Sequence, residues 1–131
     1  MVVVTAALIV DSRKILIAQR KAGSHMELKW EFPGGKLEAG EKPEQCLVRE
    51  IKEELELDIE VLDIYKVVMH DYDEKTVLLL CYKCKLSGGT ANAADCNAFR
   101  WVDGEQLELF DYAPADIGIV EKIKNDSSLL A

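Results

Sequence analysis

Apolar positions along the chain fall into runs with two distinct periods. Val2 to Val10 is almost continuously apolar, the pattern of a buried first strand. Asp11-Ser12-Arg13 reads as a turn, and Lys14 to Gln19 as a second strand with Ile15 and Ile17 on one face. Lys21 to Lys29 reads as a loop. Trp30 to Phe32 is a short extended piece that Pro33-Gly34-Gly35 breaks. The period then changes. Leu47, Val48, Ile51 and Leu55 form the stripe of a helix from Pro43 to Leu55. Pro43 suits the first turn, where its missing N–H costs nothing, and Glu44 suits the positive end of the helix dipole. Ile59 to His70 alternates as a strand, Asp71 to Lys75 turns the chain, and Thr76 to Leu86 returns as its partner. Ser87-Gly88-Gly89-Thr90 reads as a second turn, Phe99 to Val102 as a short strand and Gly104 to Leu109 as a short helix. Pro114 to Lys124 is a second amphipathic helix with Ile117, Val120 and Ile123 inward. This mixed order predicts an α+β fold, with a mixed β-sheet between helices, in one domain over residues 1–131.

The polar side of the first helix carries the candidate chemistry. Glu50, Glu53 and Glu54 stand at i, i+3 and i+4 and so share one face. Like charges at that spacing destabilise a helix, and one Arg, Arg49, cannot neutralise three of them. On spacing alone the face is either solvated charge or a site for a divalent cation. Mg²⁺ takes hard oxygen ligands, usually a few carboxylates combined with substrate phosphates and water.

The wider spacing bears on that choice. Gly35 is followed after five residues by Glu41, after seven more by Arg49-Glu50-Ile51-Lys52-Glu53-Glu54-Leu55, and then by Leu57. This resembles the Nudix box, the signature of the Nudix hydrolase family, at every fixed position but one: Glu56 stands where the family usually has Gly. Gln19-Arg20, Trp30 to Gly35 and Ala113-Pro114-Ala115-Asp116 are similar to the MutT-like branch, including its CTP-hydrolysing members, so the resemblance covers nearly the whole chain. It implies a three-layer α/β/α sandwich. It also implies cleavage of a diphosphate bond in a nucleoside diphosphate linked to another group, here with a nucleoside monophosphate and pyrophosphate as products. The implied cofactor is Mg²⁺, with Mn²⁺ as a substitute, held by Glu50, Glu53, Glu54, the Gly34 carbonyl and an acidic residue near Asp95. Arg49 would orient the carboxylates through a charge-assisted fork. Which carboxylate takes the proton of the attacking water stays open.

Other positions carry two readings each. Asp95 either completes the metal site or is a turn aspartate. Arg20, at the end of the second strand, offers donors suited to phosphate or base. His25 is a candidate substrate contact by the same resemblance. Glu31, Phe32 and Gly35 are expected to line the nucleotide pocket. Asp116 either caps the last helix or reads the base.

Composition narrows the partners. The 131 residues carry a net charge of −8, which argues against a nucleic-acid polymer but not against a small nucleotide. The apolar N-terminus lacks a basic leader region and is too short to span a bilayer, so neither a membrane nor secretion is expected. Cys81-x-x-Cys84 lies in a predicted strand, where residues three apart face opposite ways, and no second pair completes a zinc site. The cysteines read as ordinary thiols of a reducing cytoplasm. A monomer or homodimer is expected. Two rivals to a nucleoside triphosphatase are a Nudix hydrolase of ADP-ribose or a nucleotide sugar, and a non-catalytic nucleotide-binding domain.

Overall fold

A computed structural model describes all residues, Met1–Ala131. Seven strands and two helices follow in the order β1 (Val2–Asp11), β2 (Lys14–Gln19), β3 (Trp30–Glu31), β4 (Gly34–Lys36), α1 (Pro43–Leu55), β5 (Leu57–Asp71), β6 (Thr76–Gly89), β7 (Ala98–Val102) and α2 (Pro114–Lys124). A short 3-10 turn, Leu107–Leu109, precedes α2. The sheet is mixed. β1 runs parallel to β6, and the other pairings are antiparallel. Its main path is β3-β2-β1-β6-β5, with β4 on β1 and β7 on β2.

Both faces of β1 are buried, which explains its nearly unbroken apolar run. Ala6 and Leu8 join Ile15 and Ile17 of β2 in a cluster closed by Ile119, Val120 and Ile123 of α2. Ala7, Ile9 and Leu16 face the other way, against Leu47, Ile51 and Leu55 of α1. The molecule is therefore a helix–sheet–helix sandwich, the α+β arrangement that the order of elements predicts. Cys81 and Cys84 fall into opposite clusters, and all four cysteines are free thiols.

Several expectations need correction. Val48 and Ile117 point outward, 43% and 46% exposed. Cys46 takes the inward place on α1, while Ala115, Asp116 and Ile119 turn inward on α2. Gly34-Gly35 does not break the chain but forms β4 against Thr5 and Ala6. Gly88 and Gly89 belong to the end of β6, paired with Asp58 and Leu57, rather than to a separate turn. The six-residue helix expected at Gly104 to Leu109 shrinks to the 3-10 turn.

Candidate active site

The site begins with two glycines. A side chain at Gly34 would meet the Thr5 carbonyl oxygen at 1.9 Å, and one at Gly35 would meet Glu50 Cδ at 2.2 Å. Only bare backbone lets β4 lie between β1 and the acidic face of α1. The helix starts where its sequence dictates. Pro43 occupies the first turn, and Gln45 Oε1 accepts the Lys42 backbone N–H at 3.1 Å, satisfying a donor that the helix leaves free.

Arg49 ties the acidic face together. Its Nε and Nη2 donate to the two oxygens of Glu41 at 2.7 and 2.9 Å, and Nη1 donates to Glu50 at 2.9 Å and Glu53 at 3.3 Å. The Arg49 fork holds the Glu41 carboxyl down to about 2. Glu50 behaves oppositely. Burial pushes its carboxyl up, against the pull of Arg49. Glu54 is buried and raised well above the usual range. Burial is the first cause, then the charge of Glu31, with a Gly34 backbone N–H pulling the other way.

Glu54, Glu50, Glu31 and Asp95 line one cleft of about 150 Å³ with Arg20, Lys21 and Gly34. Glu53 stands outside it, 58% exposed, with Arg49 as its partner. The expected ligand set is thus only partly gathered. No three acidic, histidine or cysteine side chains converge closely enough to hold an ion. Cations of the chain already occupy several of these carboxylates: Arg49 Nη1 pairs with Glu50 and Glu53, and Lys21 Nζ pairs with Asp95 at 2.5 Å. The donors themselves suit a hard cation. They are carboxylate oxygens, one of them buried and raised by the charges of three neighbours.

A second cavity of about 140 Å³ adjoins the cleft, sharing Arg20, Glu31 and Gly34 with it. Phe32, Ala115 and Asp116 also line it, and so do Gly35, His25 and Met26. Asp116 does not cap α2. Its Oδ1 accepts the buried Phe32 N–H at 3.0 Å. Burial and then the charge of Glu31 raise its carboxyl well above the usual value. Its second oxygen has no hydrogen-bond partner within the chain, and no buried side-chain oxygen is left unpaired, so that oxygen reaches the cavity. Arg20 is engaged on two sides, with Glu31 at 3.0 Å and the His25 carbonyl at 2.6 Å. The His25 ring stands edge-on to Tyr72.

Tyr72, Lys36 and Lys75 line this cavity too, and nothing in the sequence singled them out. Tyr72 sits in the β5–β6 turn, and its hydroxyl accepts the Ala115 N–H at 3.3 Å. Only the docking of α2 brings it there. The two lysines had a weak signal, since a triphosphate requires cations near its oxygens.

A profile of the NUDIX domain matches residues 1–123. With this fold and this helix, the chain belongs to the Nudix hydrolase family and is a hydrolase of diphosphate bonds. Among its relatives, the putative 8-oxo-dGTP diphosphatase 2 of Mycobacterium tuberculosis (strain CDC 1551 / Oshkosh) is 38% identical over 117 residues, covering 88% of this chain and 83% of that protein. The CTP pyrophosphohydrolase of Escherichia coli (strain K12) is 36% identical over 121 residues, covering 92% and 90%. The solution structure of the E. coli ORF135 protein superposes with a TM-score of 0.81 at 34% identity, covering 95% of this chain and 89% of that one. The crystal structure of the MutT protein from Methanosarcina mazei Go1 has a TM-score of 0.83 at 22% identity, covers 95% and 92%, and shows the shared fold alone.

Proposed function

We propose that the protein is a divalent-metal-dependent nucleoside triphosphate pyrophosphohydrolase of the cytoplasm. It releases a nucleoside monophosphate and pyrophosphate, from CTP or dCTP in preference and from oxidised dGTP as a second substrate. The observation that carries this reading is Asp116, buried at the wall of the cavity with one oxygen fixed by Phe32 N–H and the other free. A protonated carboxyl donates to cytosine N3, and an ionised one accepts from the cytosine amino group. Uracil carries a donor at N3, which an ionised carboxylate accepts as readily, so it is the protonated form, favoured by burial, that selects cytosine. The second substrate is favoured by the name of the M. tuberculosis relative.

The acidic cleft would receive the phosphates. Glu50, Glu54 and the Gly34 carbonyl, with Glu53 and Asp95, would hold Mg²⁺. Such an ion neutralises phosphoryl oxygens and acidifies a bound water. Arg49 keeps Glu50 in place through the fork it shares with Glu41. Lys36, Lys75 and Arg20 line the cavity, Arg20 on the side it shares with the cleft, and would supply positive charge to the triphosphate. Four free thiols fit a reducing compartment, and no helix is long and apolar enough to cross a membrane. A panel of CTP, dCTP, UTP, oxidised dGTP, ADP-ribose and UDP-glucose with Mg²⁺, read chromatographically as the nucleoside monophosphate and its co-product (pyrophosphate from a triphosphate, a sugar phosphate from ADP-ribose or UDP-glucose), tests the proposal. Turnover confined to ADP-ribose or UDP-glucose refutes it.

A further inference from the structure

The departure at Glu56 has a partner in space. Glu56 adopts the left-handed conformation, φ 58° and ψ 30°, that turns the chain from α1 into β5. A glycine would take this backbone without strain but could offer no side chain. Glu56 Oε1 accepts the Asn92 side-chain N–H at 2.6 Å. Asn92 is the third residue of the segment that leads from β6 to β7, and the same segment carries Asp95 and Cys96 into the acidic cleft.

Three backbone anchors of this segment converge on the same helix end. The Glu54 carbonyl accepts the N–H groups of both Ala94 and Asp95 at 3.1 Å, and the Leu55 carbonyl accepts that of Asn92 at 3.0 Å. These carbonyls lie in the last turn of α1, where a helix leaves acceptors unpaired. At the far end Asn97 Nδ2 donates to Gln19 Oε1 at 2.6 Å. The backbone of Glu54 therefore supports the segment while its carboxylate faces the cleft. The Glu56–Asn92 contact is the side-chain bond that fixes the near end of the segment to α1.

The geometry points to Glu56 as a positioning residue: through Asn92 it sets where Asp95 stands relative to Glu50 and Glu54. The inference rests on the reading of Asp95 as part of the site. Residues that orient metal-site groups from behind typically change metal affinity or activity by about 10- to 100-fold. The contact is solvent-exposed, so the low end of that range, about tenfold, is expected.

A double-mutant cycle tests it, using Glu56→Gly, Asn92→Ala and both together, with Glu56→Gln and Asp95→Ala alongside. Three readouts are needed: kcat and KM for the nucleotide, Mn²⁺ affinity by calorimetry without nucleotide, and hydrogen exchange of the Ala94 and Asp95 amides. Glu56→Gly and Asn92→Ala should each lower kcat and weaken Mn²⁺ binding about tenfold. They should leave nucleotide KM nearly unchanged and speed exchange at both amides. The double variant should be no worse than either single one, and Glu56→Gln, which keeps the acceptor oxygen, should behave as wild type. Wild-type kcat and Mn²⁺ affinity in Glu56→Gly, or losses that multiply in the double variant, overturn the inference. If Asp95→Ala is crippled while Glu56→Gly is not, this inference alone fails. If Asp95→Ala is fully active, the reading of Asp95 fails and takes the inference with it.

Discussion

Replacing Asp116 by alanine removes two things at once, and different assays separate them. The Phe32 N–H, 3.0 Å from Oδ1, is left buried without an acceptor. An orphaned buried donor costs about 1–3 kcal/mol. At about 4 °C per kcal/mol for a chain of this size, Tm should fall by roughly 4–12 °C. The second loss is the oxygen that faces the cavity. A hydrogen bond to a charged group contributes about 1.5–3 kcal/mol, so kcat/KM for CTP should drop about ten- to a hundredfold and that for UTP far less. Asp116→Asn keeps an oxygen for Phe32 and removes the ionisable group. Burial and Glu31 raise the folded-state carboxyl. A raised group favours the folded state in its protonated form. Its contribution is complete below the unfolded value, near 3.9, and is lost as pH rises through the raised folded value. Asp116→Asn should therefore melt above wild type at pH 8, by a margin that narrows as pH falls toward 5. Scanning calorimetry across that range, with pyrophosphate release from CTP, UTP and oxidised dGTP, reads both effects. A uniform loss over the three nucleotides that tracks the fall in Tm would refute base reading. A melting difference independent of pH would refute the raised carboxyl.

Glu53→Gln should cut turnover sharply yet leave Tm without Mg²⁺ within the effect of one exposed ion pair, since Glu53 is mostly solvated. Near-wild-type turnover would remove Glu53 from the metal set. Gly35→Ala places a Cβ 2.2 Å from Glu50 Cδ, so Glu50 must leave its position. Activity should collapse and Mn²⁺ binding weaken in a protein that still shows native circular dichroism, whereas a fully active variant would show that Glu50 has room to spare. Chelation with EDTA should abolish turnover, and Mg²⁺ should restore it. Restoration should be accompanied by a rise in Tm that is larger at pH 8 than at pH 6, because Glu54 is raised by burial and by neighbouring charge, and a bound cation favours its ionised form.

Much of the fold could be read along the chain, for identifiable reasons. Both helices begin at a proline in the first turn, and each carries an inward apolar face, so their limits at Pro43–Leu55 and Pro114–Lys124 are local facts. Their inward faces were less legible. A helical stripe is about as wide as the neighbour it meets, and Val48 and Ile117 lie at margins that no partner covers. The glycine pairs misled in the same way. Glycine signals a turn in a sequence, but Gly34-Gly35 serves close approach to Thr5 and Glu50, and Gly88-Gly89 ends a long hairpin. The spacing of Glu50, Glu53 and Glu54 put three carboxylates on one face of α1, yet it could not show that Glu53 lies outside the cleft. That depends on how β3 and the Asp95 segment close over the other side. Tyr72 and the Glu56–Asn92 contact were illegible because each joins segments that meet only in the finished tertiary structure.

The parallel pairing of β1 with β6 sets an order of assembly. Val2 is matched to Val77 and Ile9 to Cys84, so the central strand waits for a neighbour about 75 positions downstream. At about 5–20 residues per second on a ribosome, that interval lasts roughly 4–15 s. During it β1 has β2 and β4 on one side and an unpaired edge on the other, which is the condition that invites intermolecular strand pairing. Helix α1 can form meanwhile from its own contiguous segment, but the sheet against which it buries Leu47 and Ile51 is still unfinished. The nascent chain thus carries its acidic helix for seconds before there is a cleft for that helix to face. Early translational arrest anywhere before Thr76 leaves a product prone to aggregate rather than a partly active enzyme.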